Sequence, residues 1–207
     1  MRGRRLPRRL VQLYLGLALY GFSDGLLVRS ELGLAPWDVF HQGLARVTGI
    51  RIGWWVIVVG LAVLLLWIPL RQRPGVGTVS NAVFIGLALN ATLDVVSVPV
   101  SMAWRIVFLV LGIGLNAVAT AAYIGAALGP GPRDGLMTGI AARGHSIRVV
   151  RTAIEVVVLA AGFALGGTVG LGTALYALGI GPLVHPLLPW MAVTVPPRPE
   201  AAELRAE

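Results

Sequence analysis

Four acidic residues lie in otherwise apolar surroundings, where a charge is costly unless it is paired or lines water. Asp38 and Asp134 occupy matching places in two similar segments, LGLAPWDVFHQGLA and LGPGPRDGLMTGIA. Asp24 and Glu155 lie within longer apolar runs. Acids in such places can couple a proton or a cation, or orient the polar group of a solute. We therefore take these four residues as candidates for a solute or ion site.

Each aspartate of the repeated segments also has a structural explanation. An aspartate close to a helix start can simply cap the helix or interact with its dipole. Asp38 could instead form a salt bridge with a neighbour such as Arg133, which directly precedes Asp134 in the second segment. The sequence leaves these alternatives open beside the functional one.

The other two acids differ in the partners that the sequence offers them. Glu155 follows Arg151 by one helical turn, so the two can form an ion pair on one helix face or contribute to a site together. Asp24 has no local partner. We expect it to face the bundle interior or a polar cavity, near Asn116 or Thr120.

The two segments share the pattern Gly-x-x-Pro-x-Asp, formed by Gly33 and Pro36 in one and by Gly129 and Pro132 in the other. Proline suits the first position of a helix and an acid suits its first turn, so the pattern predicts a helix start. Residues 37 to about 47 provide some three turns, too few to cross a bilayer. We expect a short interfacial or re-entrant helix in each segment.

Composition places these segments in a membrane. Of the 207 residues, 57% are hydrophobic and 13% are charged, and the mean hydropathy is +0.82. The net charge of +8 comes from arginines that cluster at the N-terminus and between apolar runs, which favours lipid headgroups as their partners and argues against nucleic acid. With no cysteine and three scattered histidines, we expect no metal site, no cofactor and no catalytic residues.

Six apolar runs are long enough to cross about 30 Å of hydrocarbon. They cover residues 11–30, 53–70, 78–98, 102–127, 149–166 and 172–190. If the N-terminus is cytoplasmic, the inner segments hold thirteen arginines and the outer ones four, in accordance with the positive-inside rule. Both ends are then cytoplasmic, with residues 1–10 as a basic N-terminal segment and residues 191–207 as a disordered tail.

The sequence pattern indicates that the second half of the chain is a duplicate of the first half. At a shift of 96 or 95 positions the matches fall on glycine, proline, aspartate and threonine, including Gly-x-Gly-Thr at residues 75–78 and 170–173. The repeats would cover residues 11–98 and 99–190, with three crossings each, so the second would be inverted relative to the first. The predicted fold is all-α and polytopic, with six transmembrane helices in two inverted three-helix repeats.

Two further patterns have structural interpretations. The Gly-x-Gly-Thr pairs lack the lysine of a phosphate-binding loop, so we interpret them as tight helix entries with threonine near the cap. The six tryptophans fall mostly near predicted helix ends and are typical of an interfacial aromatic belt.

The Gly-x-x-Pro-(Trp/Arg)-Asp motifs, the Gly-x-Gly-Thr pairs and the stretch RTAIEVVVLAAGFALGGTVGLGT resemble the YczE/YyaS/YitT family of bacterial integral membrane proteins. The resemblance extends over nearly the whole chain before the tail. It implies a multi-pass protein of the bacterial plasma membrane and no particular activity. Trp37 in one motif stands where the other has Arg133, so the two halves are not equivalent.

These observations favour a transporter or permease of a small solute, in which one repeat moves against the other around a polar centre. The alternative is a membrane scaffold or accessory protein that acts through a protein partner or as a homo-oligomer. An enzyme is disfavoured because no nucleophile stands beside a base.

Overall fold

The computed structural model describes residues 6–193, and within that range the chain is entirely helical, without strands. The predicted all-α class is therefore confirmed. The predicted tail from residue 194 onward lies outside the described residues, as do residues 1–5. The eight helices are α1 (Leu6–Ser30), α2 (Pro36–Thr48), α3 (Ile52–Leu66), α4 (Val76–Val95), α5 (Met102–Gly125), α6 (Pro132–Ala141), α7 (Ile147–Ala164) and α8 (Leu171–Met191).

The predicted short helices are present, and each begins where the sequence pattern places its start. Pro36 opens α2 and Pro132 opens α6, so in both cases proline occupies a position whose N–H needs no helical partner. Helix α1 differs from the prediction, because it begins at Leu6 and includes residues assigned to a separate basic segment. The Arg9 side chain extends from its first turns to donate to the Ala126 carbonyl at 2.8 Å.

Four helices, α1, α4, α5 and α8, are long and apolar enough to cross a membrane. A fifth crossing results if α2 and α3, which meet at 117°, form one broken span. Helix α3 alone has 15 residues, about 22 Å at the rise of an α-helix. Helix α7 carries Arg148, Arg151 and Glu155 among its 18 residues. The chain is thus a multi-pass membrane protein, while the count of six spans stays a prediction.

Helices α1 and α5 pack together at the centre, and glycine allows the close approach from both sides. A Cβ on Gly16 would lie 3.3 Å from the Ala119 carbonyl oxygen, and a Cβ on Gly112 would lie 3.3 Å from the Ser23 carbonyl oxygen. Gly112 follows Gly16 by 96 positions, and Ala119 follows Ser23 by the same number. The two contacts are therefore equivalent, with the roles of α1 and α5 interchanged.

The loops that precede α2 and α6 dock on the opposite half of the chain. Gly33 and Gly129 have φ angles of 120° and 125°, a region open to glycine. A Cβ on Gly33 would lie 2.8 Å from the hydroxyl of Thr173, and a Cβ on Gly129 would lie 2.5 Å from the hydroxyl of Thr78. A side chain at either glycine would therefore be strained and crowded.

Backbone hydrogen bonds join the same loops to the Gly-x-Gly-Thr segments. Gly172 donates its N–H to the Leu32 carbonyl at 2.8 Å, and Gly77 donates to the Leu128 carbonyl at 2.9 Å. Each half therefore supplies one loop and one helix entry to the other half. We call these two contacts the exchanged joints.

The predicted tight entries to α4 and α8 are also present. Thr78 accepts a hydrogen bond from the Gly75 N–H at 3.1 Å, and Thr173 accepts one from the Gly170 N–H at 3.3 Å. Both threonines are buried. They stabilise the first turn of each helix and the exchanged joint at once.

The outer surface of the helices is rich in exposed aliphatic and aromatic side chains, as expected of a protein whose solvent is lipid. Trp54, Trp104 and Trp190 belong to this exposed set. The assignment of all tryptophans to an interfacial belt is wrong for Trp37 and Trp67, which are buried. Trp67 packs against a glycine of α6 and donates its indole N–H to the Pro132 carbonyl at 3.0 Å.

Candidate solute-binding site

A cavity of about 440 Å³ opens among helices α1, α2, α5, α6, α7 and α8. Its volume is in the range of small-molecule sites. We call it the large cavity. Its wall includes Tyr20, Trp37, Tyr123, Arg133, Asp134, Arg151, Glu155, Tyr176 and His185. Four of the six predicted charged site residues therefore lie on one wall, namely Arg133, Asp134, Arg151 and Glu155.

Arg133 occupies the centre of the wall, where the first turn of α6 meets α2. Its guanidinium carbon lies 5.0 Å from the centroid of the Trp37 ring, a cation–π contact between the residues that replace each other in the two repeated motifs. The Arg133 side chain is 25% exposed, and its Nη2 lies 3.7 Å from the Asp38 Oδ1. The predicted Arg133 to Asp38 ion pair is present, at a distance beyond hydrogen bonding.

Asp38 itself lies behind the wall. It is buried, and its Oδ1 lies 3.1 Å from the Nδ1 of His41, one turn later on α2. His41 is also fully buried, and its Nε2 has no hydrogen-bond partner among the described residues. Ala35 occupies the N-cap of α2 and no side chain caps the helix, while Asp38 is the acid of its first turn, where a negative charge suits the helix dipole. Asp38 also holds His41 and supports Arg133.

The remaining charges on the wall have partners on their own or neighbouring helices. Tyr123 on α5 donates its hydroxyl proton to the Asp134 Oδ2 at 2.9 Å. Arg151 donates to the Glu155 Oε1 at 3.0 Å along α7, as the sequence predicts. These contacts fix the orientations of both acids toward the large cavity.

Asp24 does not line the large cavity, but a chain of hydrogen bonds joins it to the wall. The Asn116 side-chain amide donates to the Asp24 Oδ1 at 2.8 Å and to the Ser23 hydroxyl at 2.9 Å. The Tyr176 hydroxyl in turn donates to the Asn116 carbonyl oxygen at 2.9 Å. The prediction that Asp24 faces the interior near Asn116 is confirmed, while Thr120 lines the cavity.

A second cavity of about 70 Å³ lies among α1, α3, α4, α5 and α6, and we call it the small cavity. Its α3 and α4 wall consists of Val56, Gly60, Asn81, Ala82 and Ile85. At a shift of 95 positions, these residues correspond to residues of the large cavity, which are Arg151, Glu155, Tyr176, Ala177 and Ile180. The two cavities thus occupy matching places in the two halves of the chain.

The small cavity is narrow because the backbones of α3 and α4 touch. A Cβ on Gly53 would overlap the Gly86 carbonyl oxygen, and a Cβ on Gly86 would overlap the Gly53 carbonyl oxygen. Asn90 completes this contact by accepting the Gly53 N–H at 3.1 Å. Two glycines facing each other therefore allow α3 and α4 to close.

The matching positions in the second half keep α7 and α8 apart. Arg148 replaces Gly53 and His185 replaces Asn90. Gly181 corresponds to Gly86. A Cβ on Gly181 would have no neighbour within 4 Å among the described residues. The large cavity occupies the space that helix contact fills in the first half.

The arginines assigned to the outer side each tie two elements together. Arg51 forms an ion pair with Asp94 at 2.7 Å, and Arg105 forms one with Glu31 at 2.8 Å. Arg29 donates to the Leu93 carbonyl, and Arg46 donates to the Gly166 carbonyl. The ends of the helices that bear these arginines are therefore cross-linked by polar contacts.

Sequence reasoning missed the tyrosines of the site and His41. Tyr20, Tyr123 and Tyr176 come from three different helices, and no spacing in the sequence links them. A buried tyrosine in a bilayer needs a partner for its hydroxyl, which is the only signal that could have identified these three. His41 follows Asp38 by three residues, so helical spacing could have indicated that contact.

Comparison with known proteins identifies the family. A model described as a family of unknown function, DUF6198, matches residues 7–188. The chain belongs to this family. The matched residues include all those that line the two cavities, so the geometry described above is that of a DUF6198 member. No solved structure matches the chain.

Several curated relatives of this DUF6198 protein are similar over most of its length. An uncharacterized protein of Haemophilus influenzae is 46% identical over 84% of the chain and 80% of its own length. The uncharacterized membrane protein YczE of Bacillus subtilis is 32% identical over 85% of the chain and 83% of its own length. YyaS of the same organism is 25% identical over 84% of the chain and 90% of its own length. The resemblance to the YczE and YyaS group is confirmed.

Proposed function

We propose that this DUF6198 member is a transporter of a small solute, built from six crossings in two inverted three-helix repeats. In this proposal α2 and α6 are short helices that do not cross, and α3 and α7 cross in addition to the four long helices. The protein would lie in the bacterial plasma membrane with both ends in the cytoplasm. The large cavity would be the solute site.

The exchanged joints support the duplication. Gly33 contacts Thr173 and Gly129 contacts Thr78, so each glycine contacts the equivalent threonine of the other half. Such contacts are expected of two repeats related by a two-fold axis. An odd number of crossings in each repeat would place that axis in the membrane plane. Inverted repeats of this kind recur among secondary transporters, although architecture alone does not fix function.

The observation that carries the proposal is the difference between the two cavities. Matching walls enclose about 70 Å³ in one half and about 440 Å³ in the other, so one repeat architecture occurs both closed and open in a single molecule. Exchange of the two arrangements would close the large cavity and open the small one. With the repeats inverted, that exchange would move access from one side of the membrane to the other.

The ion pair between Arg51 and Asp94 supports an assignment of the side of the membrane to which the large cavity opens. In the proposed orientation, Arg51 and Asp94 lie at the outer ends of α3 and α4 and hold those ends together. In the same orientation Arg148 and His185 lie toward the inner ends of α7 and α8, and His185 lines the large cavity. The structure would then correspond to a state open to the cytoplasm.

Paired cysteines test the exchange, since the chain has no cysteine of its own. A Cβ on Gly60 would lie 3.4 Å from the Ala82 Cβ, close to the separation of about 3.8 Å in disulfides. We expect Gly60→Cys with Ala82→Cys to form a disulfide readily. The matching pair, Glu155→Cys with Ala177→Cys, should form one only when the large cavity closes.

The decisive variant carries both cysteine pairs. Exchange predicts one disulfide per molecule at either place, measured by mass-tagging the free thiols, because closure of one half requires opening of the other. Glu155→Cys with Leu178→Cys is the matched control, since Leu178 is 78% exposed on the outside of α8. A Glu155 and Ala177 pair that never forms a disulfide, or two disulfides in one molecule, would refute the exchange.

One observation favours the alternative, a membrane scaffold. Gly114 on α5 and Gly179 on α8 have no neighbour within 4 Å of a Cβ position among the described residues, and small residues of this kind support helix contacts in membranes. A scaffold should lose its partner when Gly179→Leu enlarges that surface and should tolerate Asp134→Asn. A transporter should show the opposite pattern.

A further inference from the structure

Four residues border both cavities: Tyr20, Tyr123, Arg133 and Asp134. A solute that passes from one cavity to the other must retain contacts while the two walls exchange. Only groups common to both cavities can supply such contacts. These four residues therefore define the part of the site that a carried solute would contact throughout.

The two charged members of this set have hydrogen-bonding capacity to spare. Among residues 6–193, the Arg133 guanidinium donates no hydrogen bond, although its side chain is three-quarters buried and its five N–H donors suit a carboxylate. Asp134 accepts one bond, from Tyr123 to Oδ2. The other carboxylate oxygen of Asp134, Oδ1, has no hydrogen-bond partner among those residues.

The remaining charges on the large cavity's wall, Arg151 and Glu155, are paired with each other. Asp38 behind the wall lies 3.7 Å from Arg133, too far for a hydrogen bond, so the N–H donors of the guanidinium stay available to a solute. A purely anionic solute would leave the free oxygen of Asp134 without a donor, and a purely cationic one would leave the donors of Arg133 without an acceptor, which is costly in an enclosed site. A solute that carries one charge of each sign would satisfy both groups.

We propose that the site takes a small zwitterion of the amino-acid type, with its carboxylate on Arg133 and its ammonium group on Asp134. The tyrosine rings and the apolar wall residues Ile124 and Ile180 would receive the side chain of the solute. The cation–π contact with Trp37 holds the Arg133 guanidinium without using its N–H donors. This inference rests on the proposed function only in taking the shared residues as the solute site.

Equilibrium dialysis of the purified full chain tests the proposal. The probe is an equimolar mixture of the twenty protein amino acids, with retained species measured by mass spectrometry. The matched probes are the methyl esters and the N-acetyl derivatives of the same mixture, which lack the negative or the positive charge. We expect retention of one or a few free amino acids and at least about ten-fold weaker retention of both derivatives, since each loses a charge-assisted bond.

Variants assign the effect to the two residues. Arg133→Gln and Asp134→Asn should each weaken retention by about ten-fold or more. Arg73→Gln, an exposed arginine between α3 and α4 and outside both cavities, should leave it unchanged. If Arg133→Gln fails to fold, Arg133→Lys should fold, keep the charge and retain intermediate affinity.

Three outcomes would overturn the inference: no amino acid retained, derivatives retained as well as free amino acids, or retention that is unchanged in Asp134→Asn. Its failure is distinct from failure of the transport proposal. If the disulfides exchange but no amino acid binds, transport stands and the solute class is wrong. If amino acids bind but the disulfides do not exchange, the site stands and transport is wrong.

Discussion

Substitution of Gly33 by alanine tests whether the exchanged joints hold the two halves together. The backbone at this position has φ 120°, which costs a residue with a Cβ about 1–2 kcal/mol. The new methyl group would also lie 2.7 Å from the Thr173 nitrogen and 2.8 Å from its hydroxyl, both on the first turn of α8. Displacing that turn adds about 1–3 kcal/mol, so we expect a total loss of about 2–5 kcal/mol.

Two further alanine variants separate these contributions. Gly129→Ala should match Gly33→Ala, because its methyl group would meet the hydroxyl of Thr78 in the same way at a φ of 125°. Gly49→Ala is the control, since Gly49 has φ 73° but no neighbour within 4 Å of a Cβ position among the described residues. Gly49→Ala should lower the free energy of unfolding only by the backbone contribution, about 1–2 kcal/mol.

The assay is thermal unfolding of the purified protein in one detergent, with the midpoint compared across the four proteins. We expect Gly33→Ala and Gly129→Ala to lower the midpoint at least twice as far as Gly49→Ala. If Gly33→Ala behaves like Gly49→Ala, the contact with Thr173 does not exist or contributes nothing. If only one of the two joint variants is destabilised, the two joints are not equivalent.

Two other predictions concern topology and the interior. Single cysteines at Ile50, His145 and Trp190 can be labelled with an impermeant thiol reagent in intact cells and in inverted vesicles. If there are six crossings, the cysteine at Ile50 should react only in cells, and those at His145 and Trp190 only in inverted vesicles. Ile50 and His145 on the same side would favour four crossings, and an external Trp190 position would favour five. Asn116→Ala should lower the free energy of unfolding by about 1–3 kcal/mol, because it leaves a buried carboxylate and a tyrosine hydroxyl unpaired. Asn81→Ala, with no side-chain hydrogen bond among the described residues, should cost less, and equal losses would contradict the buried network.

Local rules predict the helix starts well. Proline and aspartate at fixed offsets from Gly33 and Gly129 determine where α2 and α6 begin, and the threonines of the Gly-x-Gly-Thr segments satisfy the donors at the entries to α4 and α8. The i to i+4 pair on α7 is predictable for the same reason, since helical spacing alone brings its members together. Such contacts depend only on neighbouring residues.

Contacts between distant segments are not predictable in this way. The stacking of Arg133 on Trp37 and the bond from Tyr123 to Asp134 arise from packing of helices whose relative positions no local pattern encodes. The tryptophan assignments fail for the same reason. Trp67 is near a helix end in the sequence, but a glycine on α6 provides a pocket that removes it from the surface.

Two further substitutions, both on α7, add to the difference between the two halves. Where α3 has Val56 and Gly60, α7 has Arg151 and Glu155, so closing α7 on α8 as tightly as α3 on α4 would withdraw two charges from water. Their mutual ion pair at 3.0 Å reduces that cost, and so would a bound solute whose own charges neutralise the neighbouring Arg133 and Asp134. An empty site would then favour the open arrangement, and a filled one would favour closure. Under the proposed function, this dependence would couple the movement of the repeats to the presence of solute.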